Sequence, residues 1–280
     1  MGGRRSVFVV SMMAFGFAFL YVPILSMIVY SFNESRLVTV WGGFSTRWYV
    51  SLLHNEQLLN AAQLSLKIAT INATGATLLG TLAGLALARF GRFPGRALLT
   101  GMVTAPLVMP EVITGLSLLL LFVALEQVIG WPAGRGITTI TIAHVTFSMA
   151  YVAVVMQSRL ATLDESLEEA AMDLGARPLK VFFVITLPIV LPAILAGWLL
   201  AFTLSWDDLV ISSFVSGPGS STLPIVVFSK VRLGVSPEIN ALATILVLIV
   251  TIGIVTAGMY MQRQERRRER DVQQAVAARG

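Results

Sequence analysis

The 280-residue chain contains no cysteine and only two histidines, His54 and His144. Disulfides, thiolate catalysis and cysteine-ligated metals are thereby excluded, and two histidines leave little for a transition-metal site. Charge is scarce as well, since Asp, Glu, Lys and Arg make up 12% of the residues against 56% hydrophobic. With a mean hydropathy of +0.80, so few charges cannot coat a soluble surface, and a soluble enzyme is all but excluded. No G-x-x-x-x-G-K occurs, so the chain has no P-loop with which to bind ATP. The formal net charge of +5 would ordinarily raise the question of nucleic acid. In a chain this apolar the positions of the charges matter more than their sum, and here they report membrane orientation.

What the sequence has in abundance is long apolar runs. A hydrocarbon core of ~30 Å takes about 20 helical residues to cross. Six runs reach that length, Val7 to Tyr30, Gln63 to Ala88, Ala97 to Leu125, Ile137 to Met156, Pro188 to Phe214 and Ala241 to Met261. They predict an all-α membrane protein with six transmembrane helices. The first run is too long for the apolar part of a signal peptide and lacks a small-residue cleavage site before Asn33, so it reads as a retained helix.

Orientation follows from the connections. If both termini are cytoplasmic, that side holds 14 of the 20 Lys and Arg residues, among them Arg89, Arg92, Arg96, Arg177, Lys180 and the run beginning at Arg263. The other side holds only Arg36, Arg47, Lys67, Arg135, Lys230 and Arg232. That asymmetry predicts both ends inside. Trp41, Trp48, Tyr49 and Trp131 then fall on the outer side as interfacial anchors, although Trp48 and His54 are also placed to contact a docking protein. Residues 1–262 read as one transmembrane domain. Residues 263–280 read as a basic cytoplasmic tail whose Arg run acts as a stop-transfer anchor, a helix extension that frays.

One cytoplasmic connection, Gln157 to Leu187, is patterned. Leu163, Leu167, Ala170, Ala171 and Leu174 fall on one helix face, and Asp164, Glu165, Glu168, Glu169 and Asp173 lie opposite. Ser166 with Glu169, or Thr162 with Glu165, can form a capping box, Gly175 is placed to end the helix in a left-handed conformation, and Pro178 suits the first turn of a second helix. Five acids in ten residues would be repelled by an anionic leaflet, so the segment is expected to meet a protein and not the lipid surface.

Within it Glu169, Ala170, Ala171, three residues, Gly175, nine residues, Ile185, one residue, Leu187 and Pro188 match the EAA loop of ABC importer permeases. The stretches Ala105 to Leu121, Glu168 to Pro188, Leu204 to Gly217 and Ser236 to Ala243 extend the similarity. They resemble the polyamine importer permeases of the spermidine and putrescine type, nearest to the putrescine-specific branch. The resemblance implies a type I ABC importer permease fold, with Glu168, Glu169, Ala170, Ala171, Gly175 and Pro188 in the coupling helices that fit a groove on a cytoplasmic ATPase. It further implies a heterodimer with a homologous permease subunit, two ATPase subunits that carry the ATP and Mg, and a periplasmic or extracellular polyamine-binding protein. The setting would be the bacterial inner membrane, with lipid around the spans. No cofactor, metal or nucleic acid is expected on this chain.

Charges inside a bilayer cost ~2.5 to 3.5 kcal/mol on insertion scales, so those present usually line a pathway. Glu111, Asp207 and Asp208 qualify. At ~1.5 Å per residue, Glu111 lies ~20 Å and the Asp pair ~30 Å above the cytoplasmic ends of their spans. Neighbours on a helix point ~100° apart, so Asp207 and Asp208 cannot converge on one water as in an aspartyl protease. Ser205, Asp208 and Ser212 form one polar stripe, where the pathway on span five is expected, with Trp206 beside it. Acids with an aromatic face, and no base in the same stretch, suit a cation such as a diammonium and disfavour phosphate or sulfate. Each Asp can instead cap a broken helix or pair with Lys67, Lys230 or Arg232, and Glu126 reads as interfacial. His144 is open to two readings, a proton relay or a histidine bonded across a helix interface. Thr104 to Pro110 (TAPLVMP) and Thr186 to Pro192 (TLPIVLP) echo one another, which leaves two readings, a common helix-bending role or a chance likeness. On the residues alone, an ion-coupled secondary transporter or channel for organic cations is the alternative function, though the EAA pattern counts against it.

Overall fold

The computed structural model describes residues 7–37, 40–234 and 236–277. Along the chain run α1 (Val7–Ser31), α2 (Arg47–Leu53), α3 (Glu56–Arg89), α4 (Arg96–Val108), α5 (Glu111–Ile129), α6 (Ile137–Ala161), α7 (Ser166–Asp173) and α8 (Pro178–Val181). A π-helical turn, Phe182–Thr186, leads into α9 (Leu187–Trp206), followed by α10 (Val210–Val215), α11 (Leu223–Leu233) and α12 (Pro237–Ala277). Among the described residues, six helical stretches are long and apolar enough to cross a membrane, Val7–Ser31, Glu56–Arg89, Glu111–Ile129, Ile137–Ala161, Pro178–Trp206 and Pro237–Thr256. Each corresponds to one of the six expected runs. Arg4, Arg5 and Arg279, which entered the orientation argument, lie outside the described residues.

Two spans differ from the uninterrupted helices expected. The third is cut at Met109–Pro110, because Pro110 offers no N–H and its ring drives Met109 into extended backbone, φ −81° and ψ 136°. Glu111 therefore opens α5 and is not a mid-helix residue. The fifth ends at Trp206, eight residues before Phe214, and resumes only at Val210. The two proline echoes diverge. Pro110 breaks its span, whereas Pro188 sits in the first turn of α9 and Pro192 is carried inside it.

The chain divides into two compact units, residues 1–56 with 230–280, and residues 57–229. In the first, α1 lies along α12 and α2 packs on α12. The turn after α1 is organised by fully buried Asn33. Its amide donates to the carbonyls of Leu37 at 3.2 Å and Val40 at 2.8 Å, and its oxygen accepts from Ser35 N at 3.2 Å and Gly42 N at 2.8 Å. Glu238, in the first turn of α12, accepts from Ser51 Oγ at 2.7 Å and Asn55 Nδ2 at 3.0 Å, with Lys230 Nζ at 3.8 Å.

The second unit is threaded by α6. Its N-terminal half joins Ile68, Phe122, Ile211 and Val215 in one apolar cluster, and its C-terminal half joins Ala73, Ala76, Val190 and Ala201 in another. Between membrane helices there is little hydrophobic drive, so close approach of small residues and interhelical hydrogen bonds hold the contact. A Cβ on Gly80 would meet Val152 Cβ at 2.7 Å, and one on Gly84 would meet Met156 Cβ at 2.8 Å. Buried Asn72 of α3 completes the arrangement, donating to Ser148 Oγ of α6 at 3.2 Å and to the Ala201 carbonyl of α9 at 2.8 Å.

Candidate functional site

The gap between α9 and α10 places the intramembrane acids. Asp207 closes α9, its N–H donating to the Thr203 carbonyl at 3.2 Å, and its side chain is exposed. Asp208 turns inward and caps the next helix. Its carboxylate accepts from Ile211 N at 3.2 Å and Ser212 N at 2.7 Å, so two of the amide donors left open at the start of α10 are satisfied. The same carboxylate lies 3.1 Å from His144 Nε2, and only 8% of the side chain remains exposed.

Ser205, Asp208 and Ser212 do converge, but on His144 of α6. Ser205 Oγ lies 2.7 Å from Nδ1 and Ser212 Oγ 3.0 Å from Nε2. His144 is 2% exposed, Ser205 6% and Ser212 0%. The geometry is that of a histidine bonded across a helix interface, one of the two readings left open for it. Beside Ser205 in sequence, Trp206 is half-buried and stacks on Phe202 with ring centroids 6.0 Å apart. Phe202 in turn stacks on Trp198 at 5.5 Å, and the indole N–H of Trp198 reaches Thr74 Oγ1 at 3.3 Å. This aromatic ladder was missed in the sequence beyond Trp206, although its i, i+4, i+8 spacing was there to be read. Glu111, in the first turn of α5, is exposed. One turn further along, a Cβ on Gly115 would touch Phe214 at 2.8 Å and Ile211 Cα at 3.3 Å, so α5 and α10 lie in backbone contact.

On the connection between α6 and α9, α7 ends as the sequence requires. Gly175 has φ +85°, its N–H donates to the Met172 carbonyl at 2.8 Å, and Ala176 N donates to the Ala171 carbonyl at 3.1 Å. This paired closure is the Schellman motif, which a glycine at that position permits. Pro178 opens α8. Neither expected capping box forms. Glu165 takes the N-cap position, and Asp164 Oδ1 accepts from Ser166 N at 3.0 Å instead. That backbone hydrogen bond, assisted by the Ser166 hydroxyl, holds the Asp164 carboxyl below its ordinary value.

The apolar side of this connection is open, with Leu174 90% and Leu179 74% exposed. Glu169 and Ala170 are exposed beside it, and Pro188 stands at the root of α9. Ala171, Leu174, Gly175, Ala176, Arg177 and Lys180 line a concavity of about 470 Å³. Glu168 differs from Glu169 in being engaged within the chain, accepting from Thr186 Oγ1 at 2.8 Å and facing Arg89 Nη2 at 3.5 Å. In α2, Trp48 is half-buried. Its indole N–H donates to the Asn33 carbonyl at 2.6 Å, and Arg47 lies over its ring at 4.4 Å. Among the described residues no group of three His, Cys, Asp or Glu is placed to hold a metal ion.

Residues 77–270 match the profile of the family described as binding-protein-dependent transport system inner membrane component. Over 271 residues the chain is 62% identical to the putrescine transport system permease protein PotI of Escherichia coli strain K12, covering 97% of this chain and 96% of that protein. Over 249 residues it is 44% identical to the spermidine/putrescine transport system permease protein PotC of the same strain, covering 89% of this chain and 91% of that one. In fold it is similar to a chain of a bacterial alginate ABC transporter solved in complex with an alginate pentasaccharide-bound periplasmic protein. The TM-score is 0.68 at 15% identity, covering 92% of this chain and 93% of that one. The fold is that of a type I ABC importer permease. Family profile, near-full-length relatives and six membrane-length helices agree, and the chain belongs to the inner membrane components of binding-protein-dependent transport systems as a permease subunit of an ABC importer.

Proposed function

We propose that this chain forms half of the pathway through which an ATP-driven importer takes up a polyamine, putrescine foremost. The similarity to a putrescine permease along nearly the whole chain carries this reading. The exposed carboxylates of Glu111 and Asp207 and the half-buried face of Trp206 add the chemistry that an organic dication needs, separated anionic contacts and a π-surface for desolvated ammonium groups. Asp208 and Ser205 hold the interrupted span in shape, and Asp207 presents its charge to the solute.

In this scheme residues 1–262 work as one permease domain with both termini in the cytoplasm, followed by the basic tail 263–280. A homologous permease supplies the other half of the pathway. Two ATPase subunits bind ATP and Mg below, and a polyamine-binding protein delivers solute from outside, with Trp48 on the outer loop that meets it. Glu168, Glu169, Ala170, Ala171 and Gly175 seat the coupling helices on the ATPase, and Pro188 roots the span they drive. ATP-driven closure of the ATPase pair pushes these rigid helices together and opens the outer mouth, and hydrolysis resets it.

The complete complex in vesicles tests this. Loaded binding protein should accelerate ATP hydrolysis, and uptake of labelled putrescine should be competed best by diamines of matching length. Glu169→Lys should abolish recruitment of the ATPase, measured by co-purification. Uptake indifferent to all diamines would overturn the substrate assignment, and an unimpaired Glu169→Lys complex would overturn the coupling surface.

A further inference from the structure

The guanidinium of Arg89 meets the start of α7, and a carboxylate it faces there is bonded in turn to the root of α9. This residue is the last of α3, and 11% of its side chain is exposed. Its Nη1 lies 2.5 Å from Glu165 Oε1, at the start of α7, and its Nη2 lies 3.5 Å from Glu168 Oε1, one turn along. Nη2 also reaches the Leu163 carbonyl at 3.4 Å. Glu168 Oε1 accepts as well from the hydroxyl of Thr186, the last residue of the π-helical turn that joins α8 to α9. A single charged group thus links the end of one span, the acidic helix below the membrane and the root of another span.

We infer that Arg89 is a positioning residue of the transport cycle, the pin through which displacement of α7 is delivered to α3 and α9 together. The inference rests on the reading of α7 as the ATPase-facing helix. A planar guanidinium fixes both the distance and the direction of its partners, which a lysine ammonium does not. Glu165 and Glu168 stand three residues apart on one helix face. When α7 rotates, the guanidinium can therefore exchange one carboxylate for the other without losing its ion pair, and Arg89 Nε, buried without an acceptor, leaves a donor for a second arrangement. The π turn supplies the compliance. It holds one residue more per turn than the helices on either side, so the register of α9 against α8 can shift there, and the Thr186 hydroxyl ties that turn to the same carboxylate.

The test uses the whole importer in vesicles, with ATP consumption and solute uptake measured side by side. Arg89→Gln should assemble with the ATPase and hydrolyse ATP, but the ATP consumed per solute imported should rise about ten-fold. Arg89→Lys should recover part of the coupling. The exchange Arg89→Glu with Glu168→Arg should recover more than Arg89→Glu alone. If Arg89→Gln does not assemble, Thr186→Val decides the matter. It removes only the hydroxyl link and keeps the side-chain shape, and it should also uncouple hydrolysis from transport at normal assembly. Coupling within about two-fold of the unmodified complex, in Thr186→Val or in an assembled Arg89→Gln, overturns the proposal. Glu169→Lys separates the two readings. Continued recruitment of the ATPase by that variant removes the coupling surface and the pin with it, whereas lost recruitment beside fully coupled Arg89 and Thr186 variants removes the pin alone.

Discussion

His144 has two ring nitrogens and meets three oxygen groups. A carboxylate at Nε2 selects the tautomer that carries its proton there, which leaves Nδ1 to accept from the Ser205 hydroxyl. With Asp208 also receiving two backbone amides, the cluster satisfies charges and dipoles that would otherwise be costly at this depth. Asp208→Ala strips this support and should destabilise the chain by about 1–3 kcal/mol, read as a lowered melting temperature in detergent. Asp207→Asn alters an exposed side chain. It should leave melting unchanged and lower putrescine uptake several-fold in the reconstituted complex. If the two phenotypes were reversed, the division of labour between the neighbouring acids would be wrong. The stripe Ser205, Asp208 and Ser212 was legible because helical spacing alone brings those side chains to one side. Their partner was not, since His144 lies 61 residues from Ser205 and nothing local in span four says which helix it faces.

The spans themselves were legible because roughly twenty apolar residues with few charges have almost no alternative but to cross as a helix. Their interruptions were harder to read. Pro106 and Pro192 are carried inside helices while Pro110 is not, so proline alone does not decide. The distinguishing signal is Glu111 directly after Pro110, an acid placed at the start of a new helix where the dipole favours it. The connection between α6 and α9 was read more fully, because Gly175 and Pro178 act through local backbone conformation and need no distant partner. Its N-terminal cap was misassigned, as Asp164 competes for the same amide that a capping box would use. Contact between α3 and α6 makes a sharp prediction. Gly84→Leu forces a side chain into a place where even a Cβ lies 2.8 Å from Met156, which should cost about 1–3 kcal/mol or more. Yield and thermal stability should both fall. Gly101→Ala is the control, since a Cβ there meets nothing within 4 Å, and it should behave as the unmodified chain.

The absence of cysteine turns orientation into a clean measurement, because any introduced thiol is the only one. Ser166→Cys, on the exposed start of α7, should react with an impermeant reagent only from the cytoplasmic side. Ser221→Cys, exposed between α10 and α11, should react only from the opposite side. Labelling with the sides exchanged would refute the inside placement of both termini. Transport also demands that part of the chain move while part does not. Gly80 and Gly84 press α3 onto α6, and Asn72 fastens both to α9, so these three rods are expected to travel as a single slab. The gaps at Met109–Pro110 and at Asp207–Leu209 have already surrendered their ladder bonds to a proline ring and to carboxylate capping. Bending at Met109–Pro110 therefore severs no further ladder bond, and a change of access carried there is expected to need no unwinding, whereas the joint at Asp208 stays pinned by its contact with His144.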